Sequence, residues 1–157
     1  LPGSLAPSDL PAIAAHLGFA GDLDRFAREH LVASEGPTVA LGDGRITTLP
    51  VLTPSSTSDG ACRYYDRSAD GGRCTIHAVS PFGCAHIDAH MPEEEFARRT
   101  DALYAELRRS HERNDAYAQL TARLRALGRT APPIQIRKAH LRAAMQREGL
   151  LDPPRPS

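Results

Sequence analysis

The chain has 157 residues, and its 19 Lys and Arg balance 19 Asp and Glu. A formal charge of zero removes the general electrostatic case for nucleic acid or an anionic membrane as partner. No apolar run approaches the roughly 20 residues that cross a bilayer, and no secretory leader is evident, which points to a cytoplasmic protein and leaves a protein partner open.

One domain suffices for this length, because it can bury roughly 70% of the surface that the unfolded form exposes. Residues 1–151 are assigned to it, and the proline-rich residues 152–157 to a flexible tail. Ser8 is placed to cap a helix with Leu10, Ile13, Ala14 and Leu17 at helical spacing, closed by Gly18. Asp22 is placed to cap a second helix, with Leu23, Phe26, Ala27 and Leu31 on one stripe. After Gly36-Pro37, residues 38–41 and 45–52 flank Gly42-Asp43-Gly44, and an Asp-Gly turn between two such runs predicts a β-hairpin. Residues 53–60 are rich in Ser, Thr and Pro and predict a loop.

Residues 59–90 lack any sustained period, and their Gly, Asp, Ser and Pro predict irregular backbone that a ligand or neighbouring helices must fix. Beyond them, Pro92 followed by three glutamates predicts a helix start, since carboxylates favour the positive end of the helix dipole. Phe96, Thr100, Leu103 and Leu107 form its core stripe, and Tyr117, Leu120, Leu124 and Leu127 form another after a break over residues 110–115. Gly128 ends that helix; Pro132-Pro133 opens a further one carrying Ile134, Leu141 and Met145. The fold class that follows is α+β and mostly helical: N-terminal helices and a β-hairpin, an irregular cysteine-containing segment, then C-terminal helices.

Chemistry concentrates in the irregular segment, which holds all three cysteines, Cys62, Cys74 and Cys84, and His77, His86 and His90. An odd number of thiols leaves one without a disulfide partner. The x11 and x9 spacings are not those of paired zinc knuckles, so spacing alone leaves ligation open against buried or free thiols. His86 and His90 are four apart, on one face of any helix there, although Pro92 limits such a helix. His16, His30, His111 and His140 fall on helices, as solvated or capping groups. Arg98-Arg99, Arg108-Arg109 and Arg137-Lys138 are interleaved with acids and suit a wet surface. There is no Gly-x-Gly-x-x-Gly, Walker loop or His-Glu-x-x-His, and no spacing marks a nucleophilic triad.

Cys62-Arg63-Tyr64-Tyr65, the turn Asp70-Gly71-Gly72-Arg73, Cys74-Thr75-Ile76-His77 and Pro81-Phe82-Gly83-Cys84 together resemble the YkgJ-type cysteine-cluster family of zinc- or iron-chelating proteins. The preceding helices and strand fit the same pattern. Two departures are Ser80, where the family carries Arg, and the absence of the family's opening cysteine cluster. The resemblance implies metal binding through the thiolates of Cys62, Cys74 and Cys84, to an iron-sulfur cluster or Zn2+, with upstream cysteines or His77, His86 or His90 completing the shell. It also implies, as a second class, a metal-dependent protein-modifying enzyme related to lysine N-methylases. The third class is a helical interaction adaptor whose cysteines are vestigial.

Overall fold

The computed structural model describes residues 3–68, 72–85 and 91–132. Two short helices, α1 (Asp9–His16) and α2 (Leu23–His30), lead into an antiparallel hairpin of β1 (Leu31–Ala40) and β2 (Ile46–Pro54). A second, minimal hairpin pairs β3 (Tyr65–Asp66) with β4 (Arg73–Cys74), followed by a 3-10 turn (His77–Val79) and the one-turn α3 (Phe82–Ala85). The long α4 (Glu93–Arg113) and α5 (Ala116–Ala126) close the described chain. The α+β class with helices at both ends of a small antiparallel hairpin is therefore the observed architecture.

The core gathers one stripe from each element: Leu10 and Ile13 of α1, Phe26 of α2, Leu31 and Ala33 of β1, Val51 and Leu52 of β2, Leu107 of α4 and Leu124 of α5. Burying a side chain such as Phe26 or Leu31 completely contributes about 1.5–3 kcal/mol. At the centre, the Tyr117 hydroxyl donates to the Leu5 carbonyl at 2.7 Å and accepts from the Leu52 N–H at 2.9 Å. Leu5 itself donates to Leu52 at 2.8 Å, so the N-terminal segment lies along the outer side of β2 and α5 locks it there.

Local details depart from the sequence reading for identifiable reasons. Ser8 makes no capping bond; instead the Asp9 carboxylate, in the first turn of α1, accepts the Ala6 N–H at 2.8 Å. Leu31 is fully buried but extended, so α2 stops at His30 and β1 starts seven residues before the expected run. Gly36 and Pro37 then lie inside β1 as a bulge, both facing Leu49. A side chain at residue 36 would strike the Leu49 carbonyl and Val51, so the bulge requires glycine. The expected break after α4 sits at Asn114, in the left-handed region at φ 48°, and Asp115 caps α5 through the N–H groups of Tyr117 and Ala118. Pro92 precedes α4 as its N-cap, with the three glutamates in the first turn as expected.

Phe96 is 48% and Leu127 58% exposed, so the two ends of the helical stripes lie off the core, while Leu103, Leu107, Leu120 and Leu124 are buried. Arg98 and Arg99 pair with Glu95 on the wet side of α4. Arg108 departs from its expected solvated place, since its Nε is out of water without a partner among the described residues. Among those residues no helix is long and apolar enough to cross a membrane. The helix expected from residue 133 onwards, with Ile134, Leu141 and Met145, and the tail at 152–157 lie outside the described residues.

Candidate functional site

The cysteine segment is seated against the rest of the fold at three places. At its entry the Ser55 carbonyl accepts the Arg63 N–H at 3.2 Å, and the Arg63 guanidinium donates to the Ser55 hydroxyl at 3.0 Å and to the Glu29 carbonyl at the end of α2. That carbonyl belongs to the last turn of a helix, where acceptors lack intrahelical donors. Tyr64, 5% exposed, stacks on His30 at 5.9 Å between ring centroids, and its hydroxyl meets His30 Nδ1 at 2.8 Å. Phe19 and Phe26 complete the aromatic nest around His30. His30 is thus an aromatic-packed residue and not the solvated or capping group that its helical position predicts; the aromatics at 19, 26 and 64 are the sequence signal for this role.

In the middle, Thr75 donates to the Tyr64 carbonyl at 2.8 Å and closes the β3–β4 hairpin. Gly72, at φ 68°, has no room for a side chain beneath the Tyr65 hydroxyl. At the exit, Asp9 Oδ2 accepts the Phe82 N–H at 2.7 Å while the Ser4 carbonyl accepts the Gly83 N–H at 2.8 Å. Burial pushes the Asp9 carboxyl above its usual range, against the pull of the two backbone N–H groups, and Glu106 adds to the rise. One carboxylate thus joins the start of α1 to the start of α3.

Cys62 and Cys84 are exposed residues and Cys74 is half-buried; all three are free. Burial of the sulfur raises the Cys62 thiol, opposed by the Tyr64 N–H, with Cys74 adding to the rise. The Cys84 thiol is likewise raised by burial, opposed by the Gly3 N–H, with Cys62, Cys74 and Asp9 contributing repulsion.

Among the described residues no group of three or more His, Cys, Asp or Glu side chains could hold a metal ion. This corrects the expectation of an iron-sulfur cluster or Zn2+ on Cys62, Cys74 and Cys84, and with it the reading as a metal-binding cysteine cluster. The irregular backbone takes its order from protein partners instead: Asp9 of α1, Glu29 of α2, and Ser4 and Ser55. His77 is exposed on the 3-10 turn and joins no ligand set. His86 and His90 lie outside the described residues.

A different concavity was not singled out from the sequence. A groove of about 590 Å³ opens beside β1, lined by Glu35 and Thr38 of β1, their partners Pro50 and Thr48 of β2, and Arg125 and Pro132. Thr130 and Ala131 line one end, held to β1 because Ala33 donates to the Arg129 carbonyl at 3.0 Å and Ala131 donates back to the Ala33 carbonyl at 2.7 Å. The signal in the sequence is the pair of prolines at 132 and 133, which have no N–H with which to continue that pairing. A smaller concavity of about 310 Å³ lies between the hairpin turn and α4, where Glu112 accepts the Gly42 N–H at 3.0 Å. Comparison with protein-family models, with curated proteins and with solved structures gives no match.

Proposed function

We propose that this chain is a protein-interaction module in which the cysteine segment braces the fold and the groove beside β1 receives a partner. The observation that carries this reading is the groove itself: a concavity lined by both strands of the hairpin and by residues 130–132, walled by an exposed carboxylate and an exposed guanidinium. The brace supports it, because the bonds of Arg63 to Ser55, Tyr64 to His30 of α2 and Phe82 to Asp9 of α1 hold the cysteine segment through atoms other than sulfur.

The test is capture from extracts of cells that express the full chain, followed by rebinding of the purified partner to the purified chain before and after chelation. The expected result is stoichiometric rebinding that a chelator leaves unchanged. Absence of rebinding, or its loss on chelation, overturns the reading.

A further inference from the structure

We infer that the outer edge of β1 at Glu35 and Thr38 is a docking lane for a short extended peptide of a partner protein, one carrying an acidic side chain for Arg125 and a basic one for Glu35. This rests on the interaction-module reading and specifies its partner.

The direction of the backbone groups follows from the pairing. Ala33 sends both its N–H and its carbonyl away from β2, to the Arg129 carbonyl and the Ala131 N–H respectively. Leu52, its partner in register, sends both of its groups the other way, to Tyr117 and Leu5. Residues on one strand alternate in this respect, so Leu31, Ala33 and Glu35 all face outward. The Leu31 carbonyl is taken by the Arg129 guanidinium at 3.2 Å and Ala33 by residues 129 and 131. Glu35 is next in the lane. Continuing the parallel pairing would need an N–H from residue 133, which is a proline. Among the described residues none accepts the Glu35 N–H through its backbone.

Past the bulge the count restarts from the turn, where Leu41 donates inward to the Arg45 carbonyl at 2.8 Å. Ala40 and Thr38 alternate from there, which turns the Thr38 backbone outward. The close approach of the Thr38 and Thr48 hydroxyls, 2.9 Å, fits the narrow pair that this register demands. An incoming strand therefore meets the Glu35 N–H and both backbone groups of Thr38, in line with the strand already seated on Ala33; the Glu35 carbonyl also accepts the Ser34 hydroxyl at 3.3 Å, a long bond that an incoming N–H would share.

The occupant follows from what else lines the lane. Glu35 and Arg125 are exposed, and among the described residues neither side chain forms an ion pair. One negative and one positive group select a segment with both signs, and the bulge with Pro37 interrupts the edge so that long strand-to-strand pairing between copies is disfavoured. Main-chain bonds then supply affinity and the two charges supply selection.

The probe is the capped peptide Lys-Val-Thr-Val-Glu, titrated into the isotope-labelled full chain with amide shifts and hydrogen exchange as readouts. The same peptide with alternate amides N-methylated is the control, since methylation removes the main-chain donors and keeps the side chains. The expected result is that the Glu35 and Thr38 amides shift and exchange about tenfold more slowly, that the methylated peptide has no such effect, and that Arg125→Glu weakens binding by about three- to tenfold. Equal binding of the methylated peptide, shifts confined to other surfaces, or amides at 35 and 38 already protected in the free chain would overturn the lane. A purified partner that rebinds wild type and Arg125→Glu equally, without perturbing those two amides, would overturn the lane and leave the interaction module standing.

Discussion

His30 Nδ1 lies 2.8 Å from the hydroxyl of Tyr64, a residue 34 positions later, and the two rings stack at an interplanar angle of 16°. Burial lowers the imidazole's proton affinity, the Arg63 guanidinium lowers it further, and Glu29 opposes them. A histidine whose folded pKa lies below its ordinary 6.5 binds fewer protons folded than unfolded. Stability is therefore expected to fall as pH drops through about 6.5 and to level off only below the folded pKa. His30→Gln should flatten that stretch of the profile. Denaturation midpoints between pH 8 and 5 check it, and an unchanged slope in the variant would exclude His30 as the source.

Asp9 separates the role of its charge from that of its hydrogen bonds. Burial raises its pKa, so ionisation works against the folded state once pH rises above the ordinary 3.8, whereas the acceptor oxygen satisfies Ala6 and Phe82. Asp9→Asn, which retains an acceptor, should be near neutral in stability at pH 7. Asp9→Ala should cost about 1–3 kcal/mol because two backbone donors lose their partner. Urea melts of the two variants give the contrast, and equal losses would contradict this division.

Removing the Tyr117 hydroxyl alone should be expensive for so small a change. Tyr117→Phe keeps the ring but leaves the Leu52 N–H and the Leu5 carbonyl unpaired in the core, a loss of about 2–4 kcal/mol. Exchange of the Leu52 amide should accelerate in parallel. A loss below about 0.5 kcal/mol would mean that the two groups find other partners.

Along α4, buried and exposed members of one helical stripe should differ sharply. Leu107→Ala is expected to cost about 2–5 kcal/mol, while Phe96→Ala, at a half-exposed position, should cost well under that. Comparable losses would place Phe96 in a packed environment.

Replacing all three cysteines by serine should leave the fold in place, with at most about 1 kcal/mol lost, because a serine oxygen still offers an acceptor to the Tyr64 and Gly3 N–H groups that meet Cys62 and Cys84, and the Arg63, His30–Tyr64 and Asp9 bonds use other atoms. Circular dichroism and a thermal melt, with and without a chelator, read this directly. Collapse of the helical signal in the triple variant, or on chelation of wild type, would contradict it.

The helices were legible because their cores repeat at helical spacing: Leu10 and Ile13, Leu103 and Leu107, Leu120 and Leu124 all face inward as expected. The hairpin was legible from Asp43-Gly44, but not its length, because Gly36-Pro37 reads locally as an end and becomes a bulge only when Leu49 lies opposite. Phe96 and Leu127 fit the stripes but lie at helix ends that reach beyond the core. The cysteines were visible as a pattern, yet their chemistry depends on long-range partners: Asp9 reaching Phe82 and Glu29 reaching Arg63 have no local signature. The groove was hidden for the same reason, since residues 33 and 130 meet only through the tertiary fold.

The bond from Tyr117 to Leu5 spans 112 positions, and that distance sets the order in which the molecule can be finished. A chain emerging N-terminus first exposes Leu5, β1 and β2 to water well before α5 exists to seal them. Loop-closure entropy must be met before this contact returns any stabilisation, which slows folding relative to a bundle of neighbouring helices. Until Tyr117 arrives, the Leu52 N–H and the Leu5 carbonyl lack the hydroxyl that joins them, and the hairpin keeps one unsealed side.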